Sequence, residues 1–128
     1  MSRAVLDTSI FIAQEQGRPL ARELPDQVAV SVVTLAELEV GVLVALDEDA
    51  RAERMKTLVM ARERAAGLPI DQPVASAYAR LAAATLRAGR RPRIHDTWIA
   101  ATAAVHAAAI WTQDEDFTDF GDLEVVRV

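Results

Sequence analysis

Arg3-Ala4-Val5-Leu6-Asp7-Thr8-Ser9 is the stretch that decides the fold. Three apolar residues run straight into an acid and two hydroxyls, which reads as a short buried strand over 3–6 that stops at Asp7. Thr8 or Ser9 then caps a helix through about residue 15, and Gly17 breaks it. Outward from there the same figure returns. Residues 27–30 form a second strand, and Ser31 caps a long helix over 32–46. Before that strand, Pro19 opens a brief helical turn ending near Leu24.

Further along, Asp47 to Asp49 make a connection, and a second long helix covers 50–66. Gly67 at its C-cap and Pro69 beyond it mark its end. Leu68 and Ile70 make a minimal strand. Pro73 opens a helix that stops at Gly89, and His95 or Asp96 begins another over 95–108. A buried strand follows at 109–112, a turn at 116–120 and a last strand at 123–128. Strands alternate with helices, so the expected fold class is α/β. It is an α/β/α sandwich around a mostly parallel sheet of four to five strands, in one domain over 1–128.

Composition narrows the chemistry. The chain has 128 residues, 52% of them hydrophobic, and no Cys. Disulfides and thiolate zinc sites are excluded, and a reducing, cytoplasmic setting is expected. His95 and His106 are the only histidines, so a metal here is held by oxygen. Asp7 interrupts the N-terminal apolar run before a signal core forms. Residues 98–110 fall short of the roughly 20 that a membrane span needs, so no membrane association is expected. The net charge of −5 argues against a nucleic-acid partner, but the distribution matters more. Arg87, Arg90, Arg91 and Arg93 cluster ahead of Asp96 as either RNA contacts or a solvated helix end.

The acids carry the function. Taken alone, Asp7 starts a helix, Asp96 is a first-turn acid favoured by the helix dipole, and Asp114 to Asp116 form an acidic turn. Glu37 resists such a reading. Its helix is apolar nearly all round, which predicts burial. On it Glu37 shares a face with Val33, Val40 and Val44, while Glu39 points roughly 160° away. A carboxylate in an apolar stripe needs an arginine partner or a cation. Asp96 shares its face with Ile99, Ala100 and Ala103, and the helix start is expected to keep it ionised. In parallel sheets ligands bind outside the carboxyl ends of the strands, where Asp7 and Asp114 both emerge. Like charges so gathered repel unless a counter-ion joins them. Mg²⁺ or Mn²⁺ suits carboxylate oxygens, and phosphodiester hydrolysis uses all four acids together.

Four segments carry a resemblance. Leu6-Asp7-Thr8-Ser9, Thr34-Leu35-Ala36-Glu37-Leu38 with Gly41, His95-Asp96-Thr97-Trp98-Ile99-Ala100-Ala101-Thr102-Ala103 and Thr112-Gln113-Asp114-Glu115-Asp116-Phe117 resemble the motifs of PIN-domain ribonucleases. The likeness is to VapC-type toxins of bacterial toxin–antitoxin pairs, and it runs in order from residue 4 to the C-terminus. It implies a PIN fold, a Mg²⁺-dependent endoribonuclease, a VapB-like antitoxin as partner and a homodimer. By motif match Asp7 and Asp96 would be direct metal ligands. Glu37 would act through water, Asp114 would complete the site with Thr112 in support, and Asp116 would be a further member. The helices at 32–46 and 50–66 would form the antitoxin groove.

Two other classes compete. An aspartyl-phosphate phosphatase or receiver domain also places an Asp after its first strand. The phosphatase wants an acid where Ser9 stands, however, and the receiver wants a late-loop lysine, whereas the only lysine is Lys56. A degenerate PIN domain that only binds protein is the second alternative, and nothing in the acid set looks eroded.

Overall fold

The computed structural model describes residues 3–115, 117 and 120–128. Its sheet has five strands, β1 (Ala4–Leu6), β2 (Val28–Ser31), β3 (Ala66–Leu68), β4 (Ala109–Thr112) and β5 (Val125–Arg127), in the order β3-β2-β1-β4-β5. Every pairing is parallel. The chain builds outward from β1 through β2 to β3, then crosses back to lay β4 on the other side of β1. The strand order therefore reverses between β1 and β4, and such a switch point opens a crevice at the carboxyl ends of the strands.

Among the described residues five helices cover the sheet: α1 (Thr8–Glu15), α2 (Val32–Leu43), α3 (Glu48–Arg64), α4 (Gln72–Arg87) and α5 (Ile94–Val105). Alternation along the central strands sorts them into two layers. Ala4, Leu6, Val30 and Trp111 pack with Ile10, Phe11, Leu38, Val42, Leu58 and Ala61 of α1, α2 and α3. Val5 and Ile110 point the other way, against Ile99, Ala100 and Ala103 of α5. Val74 and Ala77 of α4 pack in turn on Ala101 of α5. Both faces of β1 are thereby buried, which is why it reads as an unbroken apolar run. The small side chains of α5 let that helix lie close to the sheet.

Side chains cap three helix starts, of which Ser31 is the one expected. The Ser31 hydroxyl accepts from Val33 N at 3.0 Å, Asp47 from Ala50 N at 2.8 Å and Asp71 from Val74 N at 3.1 Å. Asp47 thus starts α3 at Glu48, two residues ahead of the expected start. Gly89 closes α4 in the left-handed region at φ +77°, as a residue without Cβ can.

Four expectations are corrected. Residues 18–27 contain no helical turn. Pro25 disfavours helical geometry at Leu24, and Leu20 and Leu24 instead drape onto the core. Gly67 does not cap α3, which ends at Arg64 with Ala65 as its C-cap. It sits inside β3, where a Cβ would come within 3.3 Å of a Leu35 methyl, so its role is close approach. The minimal strand correspondingly covers Ala66–Leu68 and leaves Ile70 out. Finally, α2 is not buried all round. Thr34, Leu38 and Val42 are buried, but Val40, Leu43 and Val44 are 55%, 71% and 61% exposed. The helix lies in an outer layer, so one stripe meets the sheet and much of its apolar surface meets solvent. Among the described residues no helix is long and apolar enough to cross a membrane.

Candidate active site

Asp7 follows the last residue of β1, and its backbone N–H donates to Trp111 O of β4 at 2.8 Å. It is buried and occupies the N-cap position of α1, but its side chain makes no capping bond. Its Oδ2 accepts from the hydroxyls of Ser9 and Thr112, each at 2.8 Å. The helix-starting reading of Asp7 therefore does not describe its carboxylate. Neither Thr8 nor Ser9 caps the helix, because both hydroxyls are turned to the acids.

Thr112 links two of those acids. While its hydroxyl donates to Asp7, the same oxygen accepts from Asp114 N at 2.9 Å. This fixes the turn after β4 and brings Asp114 over the switch point. Asp116 lies outside the described residues. Glu37 arrives from α2, where its Oε1 accepts from Thr8 Oγ1 at 2.8 Å and its Oε2 lies 3.3 Å from His95 Nδ1. Its side chain is 30% exposed, so it is half-buried, and an arginine is not among its described partners.

Asp96 stands in the first turn of α5. Ile99, Ala100 and Ala103 on its face are fully buried, as the spacing predicts. Arg93 Nη2 reaches Asp96 Oδ2 at 3.0 Å and Asp114 Oδ2 at 3.1 Å. The contact to Asp96 is an ion pair out of line for a hydrogen bond, and Asp96 Oδ2 is buried with no hydrogen-bond partner. Burial raises the Asp96 carboxyl to about 6; Arg93 opposes the rise, and Asp7, Asp114 and Glu37 add to it. At neutral pH a carboxyl at about 6 is still mostly ionised, but the helix start does not hold it in the ordinary carboxylate range. Desolvation and three acidic neighbours outweigh the dipole and Arg93 together. Asp7, Glu37 and Asp114, spread over 107 positions in the chain, thus all lie within electrostatic reach of Asp96.

Of the four clustered arginines only Arg93 touches these acids. Arg87, Arg90 and Arg91 are exposed at and beyond the end of α4. Beside them a hollow of about 420 Å³ is lined by Glu37, Pro92, Arg93, Ile94, His95 and Asp96. Among the described residues no three acidic or imidazole side chains are gathered closely enough to wrap an ion, with Arg93 standing between two of the carboxylates. The donor set still fits a hard divalent cation: it consists of carboxylate oxygens, one of them buried and without a hydrogen bond.

Sequence reasoning missed Thr8, Ser9, Thr34 and His95 as parts of the site. Ser9 Oγ lies 3.1 Å from Thr112 Oγ1 and accepts from Gln113 N at 2.9 Å, tying the start of α1 to the end of β4. Thr34, fully buried, sits 3.1 Å from Thr8 Oγ1. Its three-residue offset from Glu37, on one helix face, was the available signal.

The PIN domain profile matches residues 4–123. The chain belongs to the PIN domain family. This PIN domain is 49% identical over 128 residues to Ribonuclease VapC5 of Mycobacterium tuberculosis, covering 97% of this chain and 94% of that one. Ribonuclease VapC4 of the same organism is 44% identical over 131 residues, covering 98% and 97%. The crystal structure of VapBC-5 from Mycobacterium tuberculosis, a member of the VapBC family of toxin–antitoxin systems, superposes with a TM-score of 0.87. Its identity to this PIN domain is 45%, over the whole of both chains. The PIN domain is of VapC type, and the α/β/α sandwich expected from the strand–helix alternation is the fold these proteins share.

Proposed function

We propose that this PIN domain is a metal-dependent endoribonuclease, the toxin of a toxin–antitoxin pair, which hydrolyses RNA phosphodiester bonds and is silenced by a VapB-like antitoxin. The observation that carries the reading is the meeting of Asp7, Glu37, Asp96 and Asp114 at the switch point of the sheet. The ribonuclease names of its relatives support it, as does the toxin–antitoxin complex of its structural neighbour.

Asp7 and Asp96 would hold Mg²⁺ or Mn²⁺ directly, with Asp114 completing the set and Asp116 as a further member. When bound, such a cation polarises a phosphoryl oxygen and makes water more acidic. The chain's own residues do the positioning. Ser9 and Thr112 fix the Asp7 carboxylate through Oδ2. Thr8 and His95 hold the two oxygens of Glu37, which orients it as the acceptor of the proton leaving an attacking water. Arg87, Arg90 and Arg91 stand in solvent, where they can meet RNA phosphates. The exposed Val40 and Leu43 of α2 and its C-cap Val44, with Met55, Val59 and Met60 of α3, offer the antitoxin an apolar face. A homodimer accompanies this reading.

The test is direct. Protein purified free of antitoxin cuts RNA in Mg²⁺ and stops in EDTA, and Asp96→Asn is silent in both. Cutting that persists in EDTA, or in the Asn variant, contradicts the reading.

A further inference from the structure

Arg93 holds a position that neither RNA contact nor a solvated helix end explains. It is the N-cap residue of α5, yet its side chain makes no capping bond. The guanidinium turns back over its own helix to Asp96, three residues on, and across to Asp114, 21 residues away. One nitrogen, Nη2, serves both carboxylates, at 3.0 and 3.1 Å. Each contact uses an Oδ2, and the Asp96 oxygen is the buried one without a hydrogen bond. A cation drawing on Asp96 and Asp114 would need the space this nitrogen fills.

We propose that Arg93 is a built-in counter-ion of the acidic site, neutralising Asp96 and Asp114 while no divalent cation is bound and competing with the cation for their oxygens. The proposal rests on the metal-site reading above. Four carboxylates at one sheet edge repel one another, and a folded chain without metal needs a positive charge among them. Arg93 supplies it from a half-exposed position, with its side chain 44% exposed, so the guanidinium can swing out to solvent without unpacking the core. Its backbone stays fixed, since Arg93 O accepts from Thr97 Oγ1 at 2.6 Å and from Thr97 N at 2.8 Å. The side chain can therefore leave while the helix start stays in place.

The experiment is Mn²⁺ titration followed by calorimetry and by the electron-spin resonance of free Mn²⁺, with melting curves in EDTA and in Mn²⁺. Wild type is compared with Arg93→Gln, Arg93→Lys, Arg127→Gln and Asp96→Asn. Arg127 is the control for net charge. It lies on β5 opposite Thr112 and donates to Glu115 O, so it carries a positive charge at the same sheet edge. Arg93→Gln is expected to bind Mn²⁺ roughly tenfold tighter than wild type, as removal of two partly exposed ion pairs allows. It should also melt lower in EDTA and gain more from Mn²⁺. Arg93→Lys falls between, and Arg127→Gln stays near wild type. Equal or weaker binding by Arg93→Gln, with wild type saturable and Asp96→Asn not, overturns the counter-ion while leaving the metal site. Equal tightening in Arg127→Gln overturns it as well, because net charge then suffices. Failure of wild type to bind any better than Asp96→Asn overturns both readings.

Discussion

Asp96 shows at the level of one side chain what the site costs the fold. Its carboxyl ionises near 6 in the folded chain against an ordinary 3.8, first because it is buried and then because three acids face it. Below pH 3.8 the folded and unfolded chains both keep the proton. Between 4 and 6 the unfolded chain releases it first, so stability falls as pH rises and levels off above about 6. Melting curves in EDTA should show that loss in wild type and not in Asp96→Asn; equal pH profiles for the two would refute it. At pH 7.5 without metal, the Asn variant is accordingly expected to melt higher than wild type, and with Mg²⁺ present its RNA cleavage is lost. The candidate acids stood out in the sequence only as a set and through the motif resemblance, since Asp7, Asp96 and Asp114 each read equally well as, respectively, a helix start, a first-turn acid and an acidic turn. The hydroxyls that orient them did not, since Thr8 and Ser9 fit a helix cap just as well. Nor did Arg93, whose reach to Asp114 depends on how α5 sits beside β4 and not on spacing.

The element that matters most for the site's geometry is α2, which carries Thr34 and Glu37 into place from a single cap. Ser31 is fully buried, and its hydroxyl takes Val33 N at 3.0 Å. Ser31→Ala should lower unfolding free energy by about 1 kcal/mol, read from urea denaturation. Because Glu37 rides on the same helix, cleavage should weaken more than that stability loss alone implies; unchanged stability and cleavage would mean that packing, not the cap, sets the helix start. Caps of this kind made the elements readable. Ser31, Pro73 and Gly89 each mark a boundary that the structure keeps to within a residue or two. Where a residue has two uses the reading failed: Gly67 follows a helix and so suggests a C-cap, yet β3 needs it for its approach to Leu35. Residues 18–27 misled in the same way, with Pro19 arguing for a helical turn and Pro25 against one.

Across the whole molecule, alternation of strands and helices was enough to predict a parallel sheet between helical layers, and their strand-end positions put Asp7 and Asp114 at its carboxyl edge. Strand order was not legible, because it depends on which helices cover which face, and that order makes the crevice between β1 and β4. Burial of α2 was misjudged for a related reason. Apolar content does not say whether the partner is the core or another protein, and the uncovered surface is large. Leu43, 71% exposed on α2, belongs to the face assigned to the antitoxin. Leu43→Glu should leave melting temperature and RNA cleavage near wild type yet weaken antitoxin binding at least about tenfold, measured by calorimetry. Undiminished binding would move the antitoxin to another face. The central claim, that acids distant in the chain converge on one divalent cation, is tested most directly by anomalous scattering from crystals grown with Mn²⁺. A single dominant anomalous site is expected within coordinating reach of Asp7 and Asp96, with Arg93 turned away from Asp96. Strong anomalous density elsewhere and none between these two carboxylates would contradict it.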